Sequence, residues 1–285
     1  MTIILPCILG GAIAFYDGFV NIPLLMLTAI GLFFGNIGTN FTNDYYDYKS
    51  GVDVLDKGRQ FKKGSEVLLK SGLSFDVVYK SLILCLGITA AIGIYLTVTV
   101  DWRILIFALP GLFLTYFYTA PPLKIGYRGL GELASGFGSG PLAVIGTYFV
   151  LSHQISIDAV IASIPVGILV ATILYIGNVP DVDADRQVGK KTISVRLGRE
   201  AVRVLGPLFY AVAYLMIIIG VLVGWFPIWT IFSLITIPLV VKLLKITSKN
   251  IDNIPQYAPA IMMTVKVFAS TTLLIIASFI IAVFV

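Results

Sequence analysis

The sequence predicts an all-α, polytopic membrane protein, and three observations predict it. Of the 285 residues, 58% are hydrophobic and only 12% charged, an apolar share above and a charged share below those of soluble domains. The apolar residues gather into segments close to the roughly 20 residues that a helix needs to cross a hydrocarbon core. The basic residues fall almost entirely into alternate connections between those segments, as cytoplasmic loops do.

Nine segments qualify as spans, and no linker of domain size separates them, so residues 1–285 read as one membrane domain. The first, 2–17, is the shortest; the second, 22–43, runs into the acidic stretch "NDYYD". Segments 76–99 and 103–120 follow a long polar loop, and "YTAPPLKIGYRGLGE" joins the fourth span to 131–151. The sixth, 157–176, ends before "DVDAD", and 204–223, 226–244 and 260–285 complete the set. No basic region precedes "IILPCILGGAIAF", so a cleavable signal is not expected.

Four alternate loops, near 44–75, 121–130, 177–203 and 242–259, collect with their margins 18 of the 20 Lys and Arg residues. Arg103 alone falls on the other side, and Lys266 lies within the last span, where it faces either a cavity or the interface. The expected topology is N-terminus in, C-terminus out, in a cell membrane. The net charge of +5 is then mostly topology and calls for no nucleic-acid partner. Cys7 and Cys85 lie in spans without metal-ligand spacing and read as small hydrophobes. His153, the only histidine, sits in a loop on the opposite side from the acidic stretches.

Those stretches carry the candidate chemistry. Asn43 and Asp47 are four residues apart, as are Asp181 and Asp185, so each pair projects from one helical face. Four hard oxygen ligands suit Mg²⁺, which reaches its sites with substrate phosphates, and acids at membrane depth are functional by default. Solvated helix ends are the bland alternative; two like-spaced pairs closing equivalent loops weigh against it. "DVDAD" begins like a calcium loop but has Arg186 and Thr192 where glycine and glutamate are required. "GFGSG" (136–140) lies inside a span with no strand before it and reads as small-residue helix packing. Lys124, Arg128, Lys190 and Lys191 lie beside the acidic stretches and suit a phosphate, although the positive-inside rule alone also puts them there. Carboxylates, basic residues and an apolar interior fit a diphosphate head on a long hydrocarbon tail. Of the tyrosines near these motifs, Tyr118 is the candidate to face a carbocation.

"NDYYDYKSGVD" (43–53), "YTAPPLKIGYRGLGE" (118–132) and "NVPDVDADRQVGKKTISVRLG" (178–198) resemble, in this order, the motifs of the UbiA superfamily of intramembrane aromatic prenyltransferases. The resemblance implies nine helices around a central cavity and transfer of a prenyl group from a prenyl diphosphate to an aromatic acceptor with Mg²⁺. It gives Asn43, Asp47, Asp181 and Asp185 the metal-mediated diphosphate site and makes Asp44, Asp53 and Asn178 supporting polar residues; Asp53 is also the candidate to help at the proton-transfer step. The motifs are most similar to the menaquinone branch, whose acceptor is 1,4-dihydroxy-2-naphthoate. Branches acting on 4-hydroxybenzoate, homogentisate, porphyrin acids or a glycerol phosphate stay open, because the first span lacks an Arg-Pro and "KGSEVLLKSGL" differs from the branch's usual form. Two other classes compete. A cation-coupled transporter would carry its acids near mid-bilayer rather than at span ends, and a CDP-alcohol phosphotransferase would carry a DGxxAR signature that is absent here.

Overall fold

The structure, a computed structural model, describes residues 2–50 and 74–285, and all regular structure among them is helical. In chain order the helices are α1 (Ile4–Tyr16), α2 (Ile22–Lys49), α3 (Phe75–Thr99), α4 (Leu105–Phe117), α5 (Gly131–Ser152), α6 (Ile157–Asn178), α7 (Val182–Gln187), α8 (Ile193–Leu197), α9 (Val202–Val223), α10 (Ile237–Lys249) and α11 (Ile254–Ala282). A 3₁₀ turn at Trp102–Ile104 leads into α4, and a longer one at Ile228–Thr236 leads into α10.

Among the described residues, seven segments are long and apolar enough to cross a bilayer, namely α2, α3, α5, α6, Arg199–Val223, Ile228–Lys249 and α11. The chain is therefore a multi-pass protein. Helix α1 and Trp102–Phe117 are apolar but shorter. The starts follow local chemistry. Side-chain oxygens of Asn21, Ser74, Ser156 and Asn253 accept from backbone N–H groups in the first turns of α2, α3, α6 and α11, which satisfies donors that a helix start leaves open. Helix α2 differs from its sequence expectation at the other end. It continues through "NDYYD" to Lys49, and 28 residues reach about 42 Å, beyond a hydrocarbon core of roughly 30 Å. The acidic residues thus ride on an ordered helix that projects past the apolar layer.

The main core packs α1, α6, α9 and α11 around large buried side chains including Tyr175, Tyr257, Phe268 and Phe279. Hydroxyls bind that region where lipid supplies no partner: Tyr214, Thr236 and Thr271 form a buried hydrogen-bonded triangle, and Thr230 Oγ1 lies 2.7 Å from Ser278 Oγ. Helices α5 and α6 meet backbone to backbone. A Cβ on Gly140 would stand 2.6 Å from Gly167 Cα and from the Ser163 carbonyl, and one on Gly136 would stand 2.7 Å from the Gly167 carbonyl. The glycines of "GFGSG" are a packing seam, as the sequence suggests. Lys266 is exposed on the outer surface of α11 and does not line the cavity described next, so its long stem is free to snorkel.

Because aromatics fill the side of α9 and α11, the open space lies to the other side. A cavity of about 1180 Å³ is lined, among the described residues, by α2 to α6, the loop before α5, the α6–α8 connection and the first turns of α11. It is eccentric in the bundle: α9 and the 228–249 segment contribute no lining.

Candidate active site

At its polar end the cavity brings together Asn43, Asp44 and Asp47 from α2 with Asn178 and Asp181 from the end of α6, and Lys190 and Thr192 close the rim. Sequence positions more than 130 residues apart thus share one chamber. Asn43, Asp44 and Asp47 point there because they occupy one face of α2, which continues inward as Asn36 and Asn40. The side-chain amide oxygen of Asn43 accepts from the Thr119 hydroxyl.

Tyr127 joins the pieces. Its hydroxyl donates to Asp47 Oδ1 at 2.6 Å and lies 2.8 Å from Ser50 Oγ. The ammonium groups of Lys124 and Lys190 stand 5.1 and 5.4 Å from its ring centre, within cation–π range. Its carbonyl accepts from Lys191 N–H at 2.8 Å. Burial and the neighbouring Asp47 carboxylate push the phenol of Tyr127 well above its ordinary value, so it stays a donor under working conditions.

The second acidic stretch is held differently. Asp181 caps α7 and Asp185 lies one turn on, with Asp185 N–H bonded to the Asp181 carbonyl at 2.8 Å. Asp185 is fully buried behind the cavity wall, 3.5 Å from Lys190 Nζ. The chain returns Lys190 over it through Gly189, whose φ of 74° suits glycine. Arg199 braces the segment before Asp181, donating to the Val179 and Pro180 carbonyls and pairing with Asp183 at 2.9 Å.

Of the residues singled out in the sequence, Asn43, Asp44, Asp47, Tyr118, Asn178, Asp181 and Lys190 line the cavity. Lys124 reaches the site over Tyr127. Arg128 turns its guanidinium to the Pro122 carbonyl at 3.0 Å, and Lys191 bonds through its backbone N–H and carbonyl; neither side chain lines the cavity. Asp53 lies outside the described residues. Sequence reasoning passed over Tyr127, Thr119 and Glu132. Glu132 is 2% exposed, and its Oε1 accepts from Asn178 Nδ2 at 3.1 Å and from Ile193 N–H at 3.4 Å. The signal available for Tyr127 was its place between two basic residues in "KIGYR"; for Glu132 it was a lone acid entering an apolar span.

The donors at the polar end are hard oxygens, and among the described residues no three His, Cys, Asp or Glu side chains are grouped closely enough to hold a metal ion alone. Such a set suits Mg²⁺, which keeps several waters and completes its shell with substrate phosphates rather than with a closed protein cage. Below it the wall turns apolar with Leu32, Ile92, Leu96, Leu105, Leu112 and Val170.

The chain is similar to known proteins in sequence and in fold. The model of the UbiA prenyltransferase family matches residues 3–265. The chain is 28% identical, over 84% of its length and 76% of the relative's, to 1,4-dihydroxy-2-naphthoate octaprenyltransferase of Bacillus subtilis. Its fold is similar to that of a UbiA homolog from Aeropyrum pernix, with a TM-score of 0.71, 16% identity and 97% of each chain covered. It is also similar to a UbiA homolog from Archaeoglobus fulgidus bound to GPP and Mg²⁺, with a TM-score of 0.56, 17% identity and 96% of each chain covered.

Proposed function

The chain belongs to the UbiA prenyltransferase family, and from that premise we propose that it transfers a prenyl group from a polyprenyl diphosphate to 1,4-dihydroxy-2-naphthoate within the membrane, with Mg²⁺. One observation carries this reading: residues of both acidic stretches, with Lys190, line a single cavity whose deeper wall is apolar. That arrangement suits an anionic head and a hydrocarbon tail on one molecule. The name of the Bacillus subtilis relative supports the naphthoate acceptor, and the ligands of the Archaeoglobus fulgidus homolog support a prenyl diphosphate with Mg²⁺. Helix α1 and Trp102–Phe117, added to the seven longer spans, give nine crossings. The positive-inside rule then puts the acidic end at the cytoplasmic face, the N-terminus inside and the C-terminus outside.

In this reading Asn43, Asp47 and Asp181 hold the metal, with Asp44 and Asn178 beside them, while Asp185, expected from the sequence as a fourth ligand, stays behind the wall 3.5 Å from Lys190 Nζ and positions that ammonium. When bound, Mg²⁺ supplies neutralisation of the charge that develops on the departing diphosphate. Tyr127 orients the Asp47 carboxylate, while Lys190 and Lys124 add positive charge at the rim. The allylic C–O bond breaks, and the apolar wall excludes water that would otherwise trap the cation. Tyr118 offers a ring face to it; a ring carbon of the acceptor then forms the new C–C bond and loses its proton, while the diphosphate departs with the electron pair of the broken C–O bond. Asp53 is the candidate to assist proton transfer.

The test is to incubate purified protein with Mg²⁺, prenyl diphosphates of several lengths and several aromatic acceptors, and to determine product masses. A prenylated naphthoate product, abolished by chelation, is expected. No prenylated aromatic with any pair, or product formation indifferent to chelation, refutes the proposal.

A further inference from the structure

Between the acidic end and the apolar depth, the cavity wall contains a polar band not used above. Asn36 and Asn40 of α2 and Ser135 and Ser139 of α5 line it together with Thr115 of α4. Among the described residues these side chains make no hydrogen bond. That is unusual in this bundle: Thr28, Thr39, Thr42, Thr89 and Thr147 each return their hydroxyl to the carbonyl four residues earlier, the ordinary way for a hydroxyl in a membrane helix to be satisfied. Ser139 is 9% exposed, and its remaining exposure is to the cavity. Ser139 is buried, Asn36 and Ser135 are half-buried and Asn40 is exposed; an unpartnered buried hydroxyl is costly, and with the neighbouring amides and Ser135 it suits a ligand with oxygen functions.

Counting 1.5 Å per residue, Asn36 and Asn40 stand about 6 Å apart along α2, and Ser135 and Ser139 stand about 6 Å apart along α5. Two polar levels one helical turn apart are therefore presented from two helices, a spacing close to that between opposite oxygens of an aromatic ring. Amides and hydroxyls both donate and accept, as needed for phenolic hydroxyls, and no cation lines this level, since Lys190 is the one basic residue on the described lining.

We infer that Asn36, Asn40, Ser135 and Ser139 form the subsite that recognises the phenolic hydroxyls of an oxygenated aromatic acceptor, and that its carboxylate is left to the Lys190 end. The inference deepens the functional reading above and rests on it for the identity of the acceptor. It is tested by equilibrium binding to the purified full chain, without donor or metal, of 1,4-dihydroxy-2-naphthoate and of 1-hydroxy-2-naphthoate, which lacks one hydroxyl. Wild type is expected to lose about tenfold in affinity with that hydroxyl, the value of one good hydrogen bond. Asn36→Leu and Ser139→Ala are expected to bind the dihydroxy compound about tenfold more weakly, with at least one of them no longer distinguishing the two ligands. Their thermal midpoints should not fall, since replacing an unpartnered polar group by an apolar one leaves no orphan behind. Wild-type affinity in both variants, an undiminished hydroxyl effect in both, or weak binding of both ligands to wild type overturns the inference, as does marked destabilisation by Asn36→Leu. Turnover by wild type is read separately: ligand discrimination without prenyl transfer would sink the proposed function and leave the subsite standing.

Discussion

Replacing Tyr127 by Phe and by Leu separates the two things this side chain does. Tyr127→Phe removes the donor 2.6 Å from Asp47 Oδ1 and keeps the ring beneath the Lys124 and Lys190 ammonium groups. Hydrogen bonds to charged groups contribute about 1.5 to 3 kcal/mol. Asp47 is only half-buried and faces the cavity, where water takes up part of the loss, so the lower end, about 1.5 kcal/mol, applies. That is roughly tenfold in kcat/KM for the prenyl diphosphate. Tyr127→Leu also removes two cation–π contacts of about 0.5 to 1 kcal/mol each, which brings the loss to roughly 100-fold. The KM for the acceptor should not move in either variant. The assay is steady-state prenyl transfer with donor and acceptor varied in turn, product being quantified by mass. Because the phenol's pKa is raised, its protonated form is the one the fold favours, and its donor role would be lost only as pH rises through that elevated value. The ratio of wild type to Tyr127→Phe should therefore be flat from about pH 7 to about pH 10, the ordinary tyrosine value. Equal activity of wild type and Phe, equal loss in Phe and Leu, or a ratio that collapses near pH 9 would refute the reasoning.

Glu132→Leu should lower kcat/KM about tenfold by leaving the half-buried Asn178 amide and Ile193 N–H without their acceptor, a cost of about 1 to 3 kcal/mol. Glu132→Gln, which keeps an oxygen at that place, should recover most of the activity, and kinetics with thermal unfolding separates positioning from collapse. Gly140→Val should prevent stable folding, because a Cβ there meets backbone atoms of α6 at 2.6 Å, and the loss of a monodisperse species in size-exclusion chromatography reports it. Gly87→Ala, at a position where an added Cβ meets nothing within 4 Å, should behave as wild type.

What the sequence made legible was set by the range of the forces involved. The positions of the apolar segments follow from local hydropathy: among the described residues seven of the nine expected segments recur as helices long enough to span, and the other two as shorter apolar helices. The pairs Asn43/Asp47 and Asp181/Asp185 were visible because four-residue spacing fixes a face on any helix. Tyr127 was not, because its importance comes from contacts with Asp47 and Lys190 that only the folded chain creates. Arg128 illustrates the opposite case: a basic residue beside the site in sequence turns to the Pro122 carbonyl in space. The polar level at Asn36 and Ser139 escaped for a third reason, since isolated polar residues in an apolar span become conspicuous only when the absence of partners can be checked against a structure. The eccentricity of the cavity likewise depends on which helices received the bulky aromatics Tyr175, Tyr257 and Phe268, a matter of packing that hydropathy does not encode.

The balance of charge ties the two proposed subsites together. Around the polar end stand the carboxylates of Asp44, Asp47, Asp181 and Asp185, with Glu132 behind Asn178, against the ammonium groups of Lys190 and Lys124. Among the described residues, a diphosphate approaching that set from an apolar chamber, where screening is weak, meets more negative than positive charge. On the proposed reading, divalent cations therefore serve capture of the donor as well as its ionisation. The hydroxyl subsite imposes no such condition, because Asn36, Asn40, Ser135 and Ser139 are neutral. Chelation should then abolish binding of a non-hydrolysable prenyl diphosphate analogue while leaving the contribution of the acceptor's hydroxyls intact. If chelation instead weakened both ligands equally, the metal would be organising the whole cavity, and the division between an ionic donor end and a neutral acceptor level would be wrong.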